Sequence, residues 1–154
     1  MIIIGADHTG FELKDKIIKY CKNKNLEIID VSDYEIDIND DYPDVAKNIC
    51  LEVLKEFKNL GIAICGTGIG ISIACNKISG IRAALCFDDY MAKMSRNHNN
   101  ANVLCLGARL EYTKDINNVI NIIEEFINSD FEGDRHQKRL EKIKELEKKG
   151  GNSL

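Results

Sequence analysis

The 154-residue sequence carries 21 basic and 25 acidic residues, a formal net charge of −4, and 44% hydrophobic residues. The length suits one domain with its own core, and the charge balance argues against a surface built to bind nucleic acid. No apolar stretch is long enough to span a membrane or to act as a secretory signal.

Short apolar runs alternate with longer amphipathic stretches, which is typical of βαβ units around a parallel sheet. In chain order the pattern predicts strand Ile2–Ala6, helix Gly10–Lys22, strand Leu26–Val31, helix Asp44–Lys58, strand Gly61–Cys65, helix Gly70–Lys77, strand Arg82–Cys86, helix Asp89–His98, strand Asn102–Leu106, helix Thr113–Ile127 and helix Arg135–Lys148. The strands are nearly continuous apolar runs, as expected where both faces of a sheet are covered. We therefore expect a single α/β domain over residues 1–154 with five parallel strands.

The last predicted helix differs from the others in its charge. It has a narrow apolar stripe, Leu140, Ile143 and Leu146, and is otherwise highly charged. Such a stripe covers little core by itself, so the helix is expected to contact either a partner subunit or the edge of its own domain.

The six cysteines are spaced at least ten residues apart, so no CxxC pair is available for zinc or redox chemistry. Most lie in apolar runs, where a free cysteine behaves as a small buried hydrophobe. This usage favours the reducing cytoplasm over a secreted, disulfide-stabilised protein.

Polar residues follow several predicted strands, at the edge of a parallel sheet where ligands bind. Asp7 and His8 follow the first strand, a glycine-rich turn follows the third, and Arg109 follows the fifth. His98 ends the fourth helix. We expect all of these side chains to converge on one rim.

The glycine-rich turn consists of Gly66, Thr67, Gly68, Ile69 and Gly70, directly after Cys65. Alternating glycines expose backbone N–H groups that can hold an anion. The spacing matches neither the dinucleotide fingerprint nor a P-loop. A thiol beside a helix N-terminus is favoured as a thiolate, which accepts protons, and the N–H groups can stabilise an oxyanion. An ordinary tight turn and a buried strand cysteine remain the alternatives.

The remaining candidates each have a structural alternative. Asp7 and His8 can bind sugar hydroxyls, but Asp7 can also cap a turn through Thr9. His98 can act as a general acid or base, or can satisfy a helix C-terminus. Arg135 and Arg139 share one helix face and suit a phosphate, although a solvated charged face is the default for such a helix.

These segments, in this order, resemble the ribose-5-phosphate isomerase B and galactose-6-phosphate isomerase family. The resemblance runs over essentially the whole chain and rests on GADHTGFELK at 5–14, DYPDVA at 41–46, ICGTGIGISIACNKISGIRAAL at 64–85, SRNHNNANVLCLGAR at 95–109 and FEGDRHQKRLEKI at 131–143. It implies a Rossmann-like three-layer α/β/α sandwich with a five-stranded parallel sheet. It also implies interconversion of ribose 5-phosphate and ribulose 5-phosphate through an enediolate.

The resemblance also implies roles for individual residues. Cys65 would be the base and His98 the acid that opens the sugar ring. The substrate would be held by Asp7, His8, Gly66, Thr67, Gly68, Ile69, Gly70 and Asn99, and its phosphate by Arg109, Arg135 and Arg139. No metal or organic cofactor is expected. The family shares its active site across a homodimer, with 135–149 reaching toward the partner; whether dimers pair into tetramers is left open.

Two positions qualify the resemblance. One branch of the family uses a glutamate as base at the start of the helix after the glycine turn, where this chain has Ile71, which leaves Cys65 as the base. Asp134 stands where relatives commonly have a small residue, and it can cap the last helix with Gln137 in capping-box spacing. Its charge beside Arg135 is expected to weaken phosphate binding.

Three other functions are weighed against this one. A six-carbon phosphate, such as allose or galactose 6-phosphate, is the nearest alternative substrate. A non-catalytic phosphosugar sensor would normally tolerate loss of the thiol or the histidine, and both are present. A flavodoxin-like nucleotide-binding module has little support, because no acidic or aromatic residue is placed for a ribose or flavin ring.

Overall fold

The computed structural model describes residues 1–32 and 39–150. In these ranges the elements are β1 (Ile2–Ala6), α1 (Phe11–Asn23), β2 (Ile28–Asp30), α2 (Tyr42–Val53), β3 (Leu60–Cys65), α3 (Ile69–Cys75), β4 (Ala83–Leu85), α4 (Asp89–Asn99), β5 (Val103–Gly107), α5 (Ile116–Asn128) and α6 (Asp134–Gly150). Short 3-10 helices occupy His8–Gly10 and Glu111–Lys114. Of the helices described, none combines the length and the apolar character needed to cross a membrane. The predicted single domain includes residues 151–154, which lie outside the described residues.

The strands form one parallel sheet in the order β2-β1-β3-β5-β4. The register pairs Ala6 with Ile64 and Cys65 with Gly107. The carboxyl ends of the three central strands therefore lie side by side. The predicted α/β fold with five parallel strands is confirmed.

Helices cover both faces of the sheet because strand side chains alternate between the faces. Ile4 and Ile64 belong to a core packed against α1, α4 and α5, whereas Ile3 and Cys65 belong to a second core packed against α2 and α3. This burial on both faces explains the unbroken apolar runs of the sequence.

Some predicted boundaries are wrong. The second helix ends at Val53 instead of Lys58. At this end the side-chain amide of Asn59 donates a hydrogen bond to the Glu52 carbonyl at 3.1 Å. The Lys55 N–H donates to the same carbonyl at 3.3 Å, so a backbone turn and the Asn59 side chain together close the end of the helix. The edge strands β2 and β4 are only three residues long, since each pairs on one side alone.

The last helix lies along the β4 edge of the sheet. Leu140, Ile143 and Leu146 line a cavity of about 370 Å³ with residues 81–84, while Leu146 remains 67% exposed. The predicted capping box is wrong, because the Gln137 amide donates to Glu141 at 3.2 Å. The N–H groups of residues 136 and 137 donate instead to the Gly133 carbonyl.

Candidate active site

Cys65 ends β3 with its side chain only 4% exposed. Its Sγ accepts a hydrogen bond from the Gly68 backbone N–H at 3.2 Å. Gly68 has a left-handed φ of 75°, which glycine adopts without the steric cost of a Cβ. The sulfur is thus held inside the turn, against a backbone N–H donor.

The glycine turn packs tightly against the end of β5. A Cβ added to Gly107 would lie 2.5 Å from the Thr67 carbonyl carbon and oxygen, and one added to Gly68 would lie 2.9 Å from the Leu106 carbonyl carbon. Thr67 itself is exposed, and its hydroxyl accepts from the Ile69 N–H at 3.3 Å. Close backbone contact, which only glycine permits at these two positions, fixes the shape of the turn.

Asp7 and His8 lie beside this turn. The Asp7 N–H donates to the Ile64 carbonyl, and its buried carboxylate accepts from the Thr9 N–H at 3.0 Å and from the Thr9 hydroxyl at 2.5 Å. Asp7 therefore caps the 3-10 helix through Thr9, which was the alternative interpretation of this residue in the sequence. His8 is oriented by Asp40, whose Oδ1 lies 2.6 Å from His8 Nδ1 and also accepts the His8 N–H.

Arg109 and Tyr42 complete this edge. A Cβ on Gly66 would lie 3.6 Å from a guanidinium nitrogen of exposed Arg109, and one on Gly70 would lie 2.7 Å from the Tyr42 ring. Sequence analysis missed Tyr42 and Asp40 as site residues. The signal available for Tyr42 was an aromatic residue directly before the only proline.

His98 and its neighbours lie in a second cluster. The His98 ring stacks on the His136 ring with centroids 4.2 Å apart and planes 7° apart. Glu132 lies beside both, with Oε2 4.0 Å from His98 Nε2 and 3.7 Å from His136 Nε2. Arg135 Nε and Arg139 NH1 lie 3.3 and 3.4 Å from the two ring nitrogens of His136.

The expected convergence of all these residues on one rim of a single chain is wrong. Cys65 lies at the carboxyl edge of the sheet, whereas α4 ends at Asn99 beside the amino end of β5. At about 3.3 Å per residue, a five-residue strand places these edges roughly 16 Å apart. His98 and Asn99, with Arg135 and Arg139 beside His98, therefore form a half of the candidate site remote from Cys65.

The second cluster is electrostatically tuned. A hydrogen bond from the Asn97 amide, followed by the positive charge of the nearby histidines and Arg135, lowers the pKa of Glu132. Burial, reinforced by His98 and the two arginines and opposed by Glu132, lowers the pKa of His136. By donor type His98, Glu132 and His136, whose ligand atoms lie within 4.8 Å of one another, suit a transition metal. The positive charge of the adjacent Arg135 and Arg139 guanidinium groups disfavours the binding of a metal cation there.

The other thiols differ from Cys65 in position. All six cysteines are free, and burial raises the pKa of Cys86 to about 12. A hydrogen bond with the Cys75 thiol, together with burial, raises the pKa of Cys50. A hydrogen bond with the Cys105 thiol raises the pKa of Cys75. Among the thiols, that of Cys65 adjoins the glycine turn.

Comparison with known proteins gives a consistent result. A family model described as ribose/galactose isomerase matches residues 2–143. A probable ribose-5-phosphate isomerase B of Mycoplasma genitalium is 45% identical over 148 residues, covering 96% of this chain and 95% of that protein. Ribose-5-phosphate isomerase B of Escherichia coli is 40% identical over 151 residues, covering 96% and 97%.

Solved structures agree with the sequence comparison. Ribose-5-phosphate isomerase B of Clostridium thermocellum superposes with a TM-score of 0.88 at 43% identity, covering 97% of this chain and 98% of that one. The Mycoplasma genitalium enzyme with bound ribulose 5-phosphate superposes with a TM-score of 0.88 at 42% identity, covering 96% and 95%.

Proposed function

The chain belongs to the ribose/galactose isomerase family, and on that premise we propose that it interconverts ribose 5-phosphate and ribulose 5-phosphate. The observation that carries the proposal is the Cys65 thiol, which accepts the Gly68 N–H inside the glycine turn. A similar protein that covers almost the whole chain binds ribulose 5-phosphate, which supports the five-carbon substrate. We assign the reaction to the pentose phosphate pathway in the cytoplasm, consistent with six free cysteines.

In the proposed mechanism Cys65 is the base. Its thiolate removes the proton from C2 of the open-chain aldose, and the electrons move toward the carbonyl oxygen on C1 to form an enediolate. The same thiol returns the proton to C1 while a proton passes from O2 to O1, which yields the ketose. Backbone donors of the 66–70 turn, with the Thr67 hydroxyl, stabilise the enediolate oxygens.

We propose that each active site is shared between two copies of the chain. His98, the ring-opening acid, lies at the opposite sheet edge from Cys65, so one copy cannot bring the two together. The α3 helix beside the glycine turn exposes Ile69 and Ile73 by 54% and 56%. An exposed apolar pair one turn apart fits an interface with a second copy.

The substrate phosphate binds at the same junction in this proposal. Arg135 and Arg139 of one copy meet His8 and Arg109 of the other, and Asn99 is a further donor to the enediolate oxygens. Guanidinium groups form strong, often bidentate hydrogen bonds with phosphate oxygens. Exposed Leu146 gives α6 an apolar contact for the partner.

An isomerase assay tests the function directly. We expect the native protein to convert ribose 5-phosphate faster than allose 6-phosphate, and Cys65→Ala to lose nearly all turnover while still binding the sugar phosphate. Cys105→Ala, which removes a buried thiol outside the turn, is the matched control and retains activity. Binding without turnover by the native protein would identify a sensor, and a faster six-carbon reaction would reassign the substrate.

Mixing two inactive variants tests the shared site. Cys65→Ala and His98→Ala each inactivate a homodimer, but a mixed dimer has one site with both native residues. Random exchange makes half of the dimers mixed, each with one of two sites intact, so activity returns to about one quarter of native. No recovery, with subunit exchange verified by mass spectrometry, would contradict the shared site.

A further inference from the structure

The cluster around His98 contains a buried histidine that the proposed mechanism does not use. His136 is 3% exposed and lies between the His98 ring and the two arginines that are proposed to hold the phosphate. We propose that His136 is a positioning residue: its ring supports the His98 imidazole, and its Nε2 atom holds Arg135. This inference rests on the proposed function of the same site.

The ring contact positions His98. The two imidazoles are nearly parallel, with planes 7° apart and centroids 4.2 Å apart. His98 is exposed over 35% of its side chain, and its Nε2 is 4.0 Å from the nearest Glu132 oxygen, beyond hydrogen-bond distance. Stacking on a buried, immobile ring therefore restricts the orientation of an otherwise loosely held acid.

One nitrogen atom of His136 positions an arginine. A neutral imidazole has one donor and one acceptor nitrogen, and arginine only donates, so both arginine contacts cannot be hydrogen bonds. Arg135 Nε donates to Nε2 at 3.3 Å, the shorter of the two contacts. Nε2 is therefore the acceptor, and Nδ1, 3.4 Å from Arg139 NH1, carries the hydrogen.

Asn97 extends this chain of contacts back to the helix that carries His98. Its amide donates to Glu132 Oε1 at 2.9 Å, and the Glu132 N–H donates to the Asn97 carbonyl at 3.0 Å. The segment before α6 is thereby fastened to the end of α4. Arg139, whose contact with Nδ1 is not a hydrogen bond, keeps its donors for the phosphate.

Two substitutions separate the two roles. His136→Phe keeps a flat ring under His98 but has no acceptor, so we expect kcat to stay near native. KM for ribose 5-phosphate and Ki for inorganic phosphate are then expected to rise about tenfold. His136→Gln offers an oxygen close to the Nε2 position but no ring, so KM is expected to stay near native and kcat to fall about tenfold or more.

Gln137→Ala, on the exposed face of the same helix, is the matched control and keeps both constants.

The outcomes distinguish this inference from the proposed function. Native constants in both His136 variants, or equal loss of kcat and KM in both, would overturn the positioning role. A native protein without isomerase activity would refute the proposed function. Calorimetric titration with inorganic phosphate would still test Arg135 positioning: weaker binding to the phenylalanine variant than to the glutamine variant supports it, and equal binding overturns it.

Discussion

Replacing Gly68 with alanine tests whether the turn beside Cys65 is held by close backbone contact. Gly68 has a φ of 75°, a left-handed conformation that costs an alanine about 1–2 kcal/mol. Its N–H also donates to Cys65 Sγ. The substitution therefore affects the stability of the fold and the environment of the thiol together.

The size of the effect follows from what the new methyl group would meet. Its Cβ would lie 2.5 Å from Leu85 Cδ1, 2.9 Å from the Leu106 carbonyl carbon and 3.1 Å from the Gly107 nitrogen. Leu85 can change its side-chain conformation, but the last two atoms belong to the backbone of a central strand. Overpacking of this kind adds about 1–3 kcal/mol. We therefore expect Gly68→Ala to cost about 2–5 kcal/mol, a large share of a typical stability of about 5–15 kcal/mol.

Gly133 provides the matched control. Its φ is 71°, and a Cβ there would meet nothing within 4 Å, so Gly133→Ala isolates the cost of the left-handed conformation. The entropy that alanine removes from the unfolded chain is the same in both variants and cancels. Urea unfolding, with midpoint and slope both measured, should show Gly68→Ala less stable than Gly133→Ala by at least about 1 kcal/mol. Equal losses would refute the close packing of the turn against β5.

Three further predictions concern charge and thiol chemistry. Lys14→Met should lower the free energy of unfolding in urea by about 3–5 kcal/mol, because Lys14 is 1% exposed and pairs with Asp30 at 2.9 Å. Lys55→Met removes an exposed ion pair with Glu52 and should lower it by less than about 1 kcal/mol. Similar costs would contradict the contrast in burial. Iodoacetamide should label Cys65 first, since it is 4% exposed and the other cysteines are at most 1% exposed. Peptide mapping gives the order of labelling, and earlier labelling of another cysteine would contradict this prediction. Because the pKa of His136 lies below its ordinary value of 6.5, the unfolded chain takes up this proton first, so stability should fall as the pH drops below 6.5. His136→Asn should remove part of that slope, and an unchanged slope would exclude His136 as its source.

The sequence alone determined the elements and the glycine turn beside Cys65. Apolar runs of strand length predicted all five strands, because a sheet covered on both faces leaves no polar positions inside it. The edge strands came out shorter than predicted, since an apolar run does not reveal which of its residues find a hydrogen-bond partner. The sequence also predicted the glycine turn, because closely spaced glycines after a strand indicate a tight turn. In the structure that turn lies against the Cys65 sulfur.

Only the tertiary structure decided which candidate residues meet. The sequence predicted that Cys65 ends a strand and that His98 ends a helix, but the motifs alone did not show that these two ends lie at opposite edges of the folded sheet. In a parallel sheet every strand ends at one edge, and every crossover helix returns the chain to the other. Cys65 follows a strand and His98 ends a helix, so they lie at opposite edges. The stacking of His98 on His136 was also invisible in sequence, because it joins two helices that only folding brings together.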